Sequence, residues 1–241
     1  MSLLSLMGRG GLAGACAGAL SAVVSLVLAE PVIDRAIALE HANAGEGHGA
    51  ELFSRDTQHV GMLVSVILAG MAIGLLFGLV YAVLHRRDPG ADPWGRALRL
   101  AGAGFLGVAF LPFLRYPTNP PGVGSEATQQ ARTVTWLAAI AIGLATVSAA
   151  GLLAGRLAER GAALPLRQLA PVGVVLVGLA LLFALPSSGD PISTPADLLW
   201  SFRLLSLLAS VVLWAGIGVG FGLAGLRAGA VANTAAVRAA A

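Results

Sequence analysis

Apolar residues in this chain neither alternate nor form a one-sided stripe; they come in long runs separated by short polar segments. Six runs lie near residues 10–29, 60–84, 97–114, 134–154, 169–185 and 198–226. A helix of about 20 apolar residues satisfies all its backbone polar groups internally, which is what the bilayer core demands. The runs are too long and too uniform for the alternating strands of a membrane barrel. The pattern therefore predicts an all-α integral membrane protein, a polytopic bundle of six transmembrane helices forming one domain over residues 1–241. The third and fifth runs are short and end in proline-bearing segments, so the count drops to five if one of them does not cross. The small residues before Glu30 would suit a signal-peptide cleavage site, but the first run is long for the usual 7 to 15 apolar residues of a signal peptide. We read it as a span.

Composition sharpens this picture. Only 11% of the 241 residues are charged, against roughly 25% in a soluble domain, and the mean hydropathy is +0.84. All fifteen basic residues are arginine, scattered in ones and twos, so there is no basic stripe for nucleic acid. A lone Cys16 excludes a disulfide framework. Orientation follows from arginine in short loops. With the N-terminus inside, ten arginines fall on the inner side and five (Arg35, Arg55, Arg115, Arg132 and Arg203) on the outer side. Nine of the twelve acids fall outside. Both termini are expected to be cytoplasmic.

Small residues recur four apart as Gly10, Gly14 and Gly18, as Gly70, Gly74 and Gly78, and as Gly218 and Gly222. Such faces let helix backbones approach closely, either within one chain or between two copies in a homo-oligomer. No Asp, Glu or His sits at mid-span, which argues against a proton relay there. Ser21, Ser25, Ser65, Thr146, Ser148, Ser206 and Ser210 read as helix–helix hydrogen-bonding groups.

Between the first two runs lies an acidic, histidine-containing loop, residues 30–59, that gathers three of the four histidines and half of the acids. Pro31 is expected to end or redirect the first helix. Ile33 and Ile37 then suit a short amphipathic helix at the interface. Asn43, Gly45, Gly47 and Gly49 break regularity around His41, Glu46 and His48. Glu51, Arg55 and His59 fall at i, i+4 and i+8 on the helix that becomes the second span. Imidazole and carboxylate together suit divalent cobalt, nickel or zinc. Candidate ligands at an outer mouth are Glu40, His41, Glu46, His48, Glu51 and His59, although a solvated acidic loop explains the same composition.

Two further outer segments bear on a transport path. In LPFLRYPTNPPGVG, Pro112 removes a backbone donor and frees a carbonyl near Val108. That carbonyl and Asn119 could line a cavity, or the prolines could simply stiffen a hairpin. In ISTPADLLWSFRLL, Thr194 or Asp197 is placed to cap the last helix. Arg203 then enters the membrane one turn beyond Trp200, to snorkel outward or to pair with Glu30 or Asp197. Glu30, Arg115, Asn119 and Arg203 are the candidates for the path.

With these segments in view, the chain resembles the CbtA family of predicted cobalt transporter subunits. The likeness runs through RGGLAG and AEPVIDRAIALE, ELFSRDTQHVGML, LPFLRYPTNPPGVG and PADLLWSFRLLSLLASVVLW, in that order. Arg115 stands where the family is expected to carry lysine. The resemblance implies cobalt uptake across a bacterial inner membrane, linked to cobalamin synthesis, with a small single-span CbtB-like partner. It also implies five spans where the runs give six. The transported ion would be Co2+, with no cofactor and no nucleic acid, and lipid as the surroundings. Alternatives are a nickel or other divalent-cation transporter subunit, or a non-transporting assembly or sensor protein presenting metal to a partner. An intramembrane enzyme is disfavoured: Ser125 in GVGSE lacks a nucleophile elbow, and no histidine lies mid-span to serve as its base. There is also no HExxH, EF-hand or nucleotide-binding motif.

Overall fold

The computed structural model describes residues 2–44, 54–85, 92–120, 123–187, 189–190, 192 and 194–240, with side chains left out at 40–44, 126 and 231–240. Its helices are α1 (Leu3–Val24), α2 (Glu30–Ala44), α3 (Arg55–Leu84), α4 (Pro93–Gly104), α5 (Leu111–Arg115), α6 (Gln129–Glu159), α7 (Leu164–Ala184) and α8 (Ala196–Ala240), with no strand among the described residues. A π-helical turn, Ser25–Ala29, joins α1 to α2, and a second, Phe105–Phe110, joins α4 to α5. Six of the resulting helical stretches are long and apolar enough to cross a membrane: Leu3–Leu39, Arg55–Leu84, Pro93–Arg115, Gln129–Glu159, Leu164–Ala184 and Ala196–Ala230. Each apolar run falls on one of them, the fifth overshooting its helix by one residue.

The two π turns explain why two prolines do not end their helices. A proline inside an α-helix loses one hydrogen bond, and its ring strikes the carbonyl four residues back. Here Glu30, just before Pro31, donates its N–H to Ser25, five residues back, and Leu111, just before Pro112, donates to Leu106. The extra residue in each turn lets the proline ring pass the preceding carbonyls. Pro31 therefore neither stops nor detaches the helix, which runs on to Ala44 and takes His41 and Asn43 into its backbone. The second turn contains the carbonyl of Gly107. This carbonyl faces Gly143, where a Cβ would overlap it.

The chain forms two compact units. The first comprises Met1–Glu30, Gly49–Gly102 and Leu208–Ala241. Within it α1 and α3 run antiparallel in backbone contact. Gly10 meets Gly74, Gly14 meets Gly70, Gly18 meets Val66 and Gly78 meets Leu6, each step of four along one helix matched by four back along the other. The glycine faces thus pair inside one chain. Helix α8 adds a third layer, with Gly216 against Ala17 and Gly220 against Ala13 on one side, and Gly218 against Ala101 and Gly222 against Trp94 on the other. Ser21 donates its hydroxyl to the Ala209 carbonyl at 2.9 Å, an interhelical bond of the expected kind. Phe77, Tyr81, Ile217 and Phe221 fill the end of this core, with the Arg9 guanidinium 3.8 Å from the Phe221 ring centre.

The second unit comprises Pro31–His48 and Ala103–Leu207. Helices α6 and α7 form a hairpin turned by Gly161, whose φ of +64° suits the left-handed position after a helix end. The Ala162 N–H reaches back to the Leu157 carbonyl at 3.0 Å and closes that turn. Leu111, Ala139 and Leu182 form the local core. Helix α8 starts with the Leu199 N–H bonded to the Pro195 carbonyl. Pro195 therefore holds the cap position, and neither Thr194 nor Asp197 does; Asp197 lies in the first turn instead.

Candidate functional site

Glu30 opens α2 directly after the first π turn, at a point where the helix carries one residue more than the α register. Its carboxylate is only 13% exposed. Helix α3 starts nearby, fixed by Ser54, whose hydroxyl accepts from the Thr57 N–H at 3.4 Å. That start puts Arg55 and His59 one turn apart on the same face. Both reach Glu30: the His59 Nε2 lies 2.7 Å from Glu30 Oε1, and the Arg55 Nη2 donates to the same oxygen. Arg55 Nη1 also donates to Gln58 Oε1 at 2.9 Å. Imidazole and guanidinium are each about one-third exposed. The result is a mostly buried carboxylate holding an imidazole and a permanent cation on one oxygen. Imidazole nitrogen and carboxylate oxygen are the donors that first-row divalent ions prefer.

A second cluster sits within the other unit. The Arg115 guanidinium donates to the Leu185 carbonyl, and the Tyr116 hydroxyl donates to the Pro186 carbonyl at 2.6 Å. These bonds tie the segment after α5 to the end of α7. Asn119 Oδ1 accepts from Arg203 Nη2 at 2.9 Å. Asp190 accepts from the Thr128 hydroxyl at 2.9 and 3.0 Å, with Arg132 Nε 3.7 Å away. The residues here are well suited to pin two loops together, but their charge is mostly positive.

The family described as "Probable cobalt transporter subunit (CbtA)" matches residues 3–237, nearly the whole chain. The chain belongs to the CbtA family. No curated protein and no solved structure matches it significantly. As a CbtA member it is a membrane subunit of a cobalt transporter, and the word subunit implies a partner chain. Six apolar helices agree with a multi-pass membrane protein.

Against that role, the sequence-derived candidates in this CbtA chain divide into three groups. Glu30 and His59 meet. Arg115 is fastened to a carbonyl, while Asn119 and Arg203 bond to each other; among the described residues Arg203 forms no ion pair with Asp197, and the ion pairs of Glu30 are with Arg55 and His59. Glu40 and His41 lie in the α2 backbone, their side chains outside what is described. Glu46, His48 and Glu51 lie outside the described residues. Among the described residues no group of three or more His, Cys, Asp or Glu side chains converges. Arg55 as the partner of Glu30 went unpredicted, although its spacing of four from His59 was a usable signal. Nothing in the sequence pointed to the Asp190–Thr128 tie.

Proposed function

We propose that this subunit takes Co2+ from outside a bacterial inner membrane and passes it inward, in support of cobalamin synthesis, together with a small single-span CbtB-like partner. Both termini lie in the cytoplasm in this reading, because ten of fifteen arginines then face inward. The loop at residues 30–59 lies outside, where its acids raise the local cation concentration. The observation that carries the reading is the carboxylate–imidazole pair of Glu30 and His59, 2.7 Å apart at a break in helical register.

The pair supplies two of the ligands that cobalt needs. Side chains of the partner complete the set. Arg55 holds the carboxylate's charge while no ion is present, and an arriving Co2+ competes with it for the same oxygen. This makes capture an exchange of one cation for another and keeps the carboxylate from standing unpaired at the membrane edge. Arg115 and Arg203 repel a divalent cation, so in this account they frame the outer side without coordinating.

Measuring cobalt binding and uptake in three variants tests the site. Glu30→Gln and His59→Ala should each weaken cobalt retention by roughly 10–100-fold, the scale seen when a metal site loses a supporting group. Arg55→Gln should strengthen retention by removing the competitor. Wild-type retention in both Glu30→Gln and His59→Ala would remove Glu30 and His59 from the path. The orientation has its own test. In a Cys16→Ala background, Gly47→Cys should react with an impermeant thiol reagent added to intact cells, and protection there would invert the topology.

A further inference from the structure

Two guanidinium groups of the second unit carry charge that nothing in the described chain neutralises. Arg115 gives one hydrogen bond to the Leu185 carbonyl, and Arg203 gives one to Asn119 Oδ1. Both acceptors are neutral, and no carboxylate among the described residues forms an ion pair with either arginine. A guanidinium stays charged and offers five N–H donors, so each uses one. The Nε of each is sealed from solvent with no acceptor among the described residues. Both groups lie near aromatic rings, Arg115 5.2 Å from the centre of Tyr116 and Arg203 5.6 Å from that of Trp200. Arg115 and Asn119 are four residues apart, so the chain brings the two charges into one neighbourhood through the Asn119–Arg203 bond.

The surface around Arg203 is apolar as well as cationic. Trp200 is 55% exposed and Leu204 58% exposed, a turn apart on α8 and flanking Arg203. Uncompensated arginine at a membrane-crossing helix is costly and calls for an anion. The anion always present there is a lipid phosphate, and the aliphatic chain beneath it covers surfaces such as those of Trp200 and Leu204. A fork-shaped guanidinium suits a phosphodiester because it can present parallel donors to two oxygens.

We propose that Arg203, together with Arg115, seats the phosphate of an anionic phospholipid whose acyl chain lies along Trp200 and Leu204. A carboxylate from a partner protein would satisfy the charge, but it would leave the exposed tryptophan and leucine unexplained. The lipid accounts for both.

Native mass spectrometry of the purified full chain, supplied with phosphatidylglycerol and phosphatidylcholine of matched acyl chains, tests this. Wild type should retain phosphatidylglycerol preferentially, by roughly fivefold per guanidinium engaged. Arg203→Leu should bring the two lipids close to parity, and Arg203→Lys should keep part of the preference. If Arg203→Leu does not fold, competition on the wild type decides instead. Another anionic phospholipid should displace bound phosphatidylglycerol, and diacylglycerol, which lacks the phosphate, should not. Equal retention of the two lipids by wild type, displacement by diacylglycerol, or an unchanged preference in both Arg203→Leu and Arg115→Leu overturns the proposal. So does Arg203-dependent capture of a partner chain with no lipid preference, which would assign the charge to a protein carboxylate.

Discussion

Replacing Gly74 by alanine puts one methyl group into one of the tightest places among the described residues. The new Cβ would overlap the Gly10 carbonyl and stand 2.9 Å from the Gly14 Cα, where ordinary contact begins at 3.4 Å. Both neighbours are backbone, so no rotamer change relieves the clash, and α1 and α3 must part. A gap of about 0.5–1 Å forfeits roughly a quarter to a half of each dispersion contact along the shared face, and overpacking of this kind costs about 1–3 kcal/mol. Gly61 lies on the same helix, and a Cβ there meets nothing within 4 Å. Gly61→Ala should therefore gain roughly 0.5–1 kcal/mol from reduced backbone entropy. The same substitution on one helix is expected to have opposite signs, separated by about 1.5–4 kcal/mol. Denaturant unfolding in mixed micelles, followed by circular dichroism, measures both. Equal effects of the two variants would refute the reading of this face as a backbone-to-backbone contact.

Three other outcomes are expected. Ser21→Ala removes the 2.9 Å bond to the Ala209 carbonyl and should lower stability by about 0.6 kcal/mol, the average for interhelical bonds in membranes, in the same unfolding assay. Asp92 accepts the Gly95 N–H at 2.8 Å, and chiefly this bond, helped by Arg99, holds its carboxyl below the usual carboxylate range. Because the folded value is the lower one, the contribution of Asp92 is complete above the ordinary carboxylate value and fades as pH falls through the lowered one. Thermal unfolding of Asp92→Asn should accordingly show a flatter acid dependence than wild type. Pro31→Ala restores a donor that can bond to the Val27 carbonyl, so the π turn should revert towards α register and rotate Glu30 away from α3. A drop in cobalt retention checks this, and retention at the wild-type level would show that Glu30 does not depend on the turn.

The helices were legible because a bilayer leaves few choices: an apolar run of the right length has nowhere to go except across. The glycine spacings were legible as contact faces, and antiparallel neighbours joined by one loop were natural partners, although spacing alone could not choose between one chain and two. Pro31 misled because its usual penalty assumes α register, and the π turn that absorbs it leaves no signature in SLVLAEP. The Glu30–His59 pair was half legible. Arg55 and His59 share a face by their spacing of four, but their meeting with Glu30 depends on how α1 and α3 are aligned, which the glycine contacts fix. Arg203 was expected to snorkel outward or to pair with an acid, and its bond to Asn119 was not foreseen, because the tie between residues 115–116 and 185–186 brings that loop to it. A tie between residues 70 positions apart is a tertiary event with no local pattern.

Labelled cobalt uptake in cells carrying the partner subunit, with and without this chain, tests the central claim most directly. Uptake should rise with the wild-type chain, fall towards background with Glu30→Gln at equal expression, and show competition by excess unlabelled cobalt. Uptake that is the same with and without the chain, in the presence of its partner, would contradict the account.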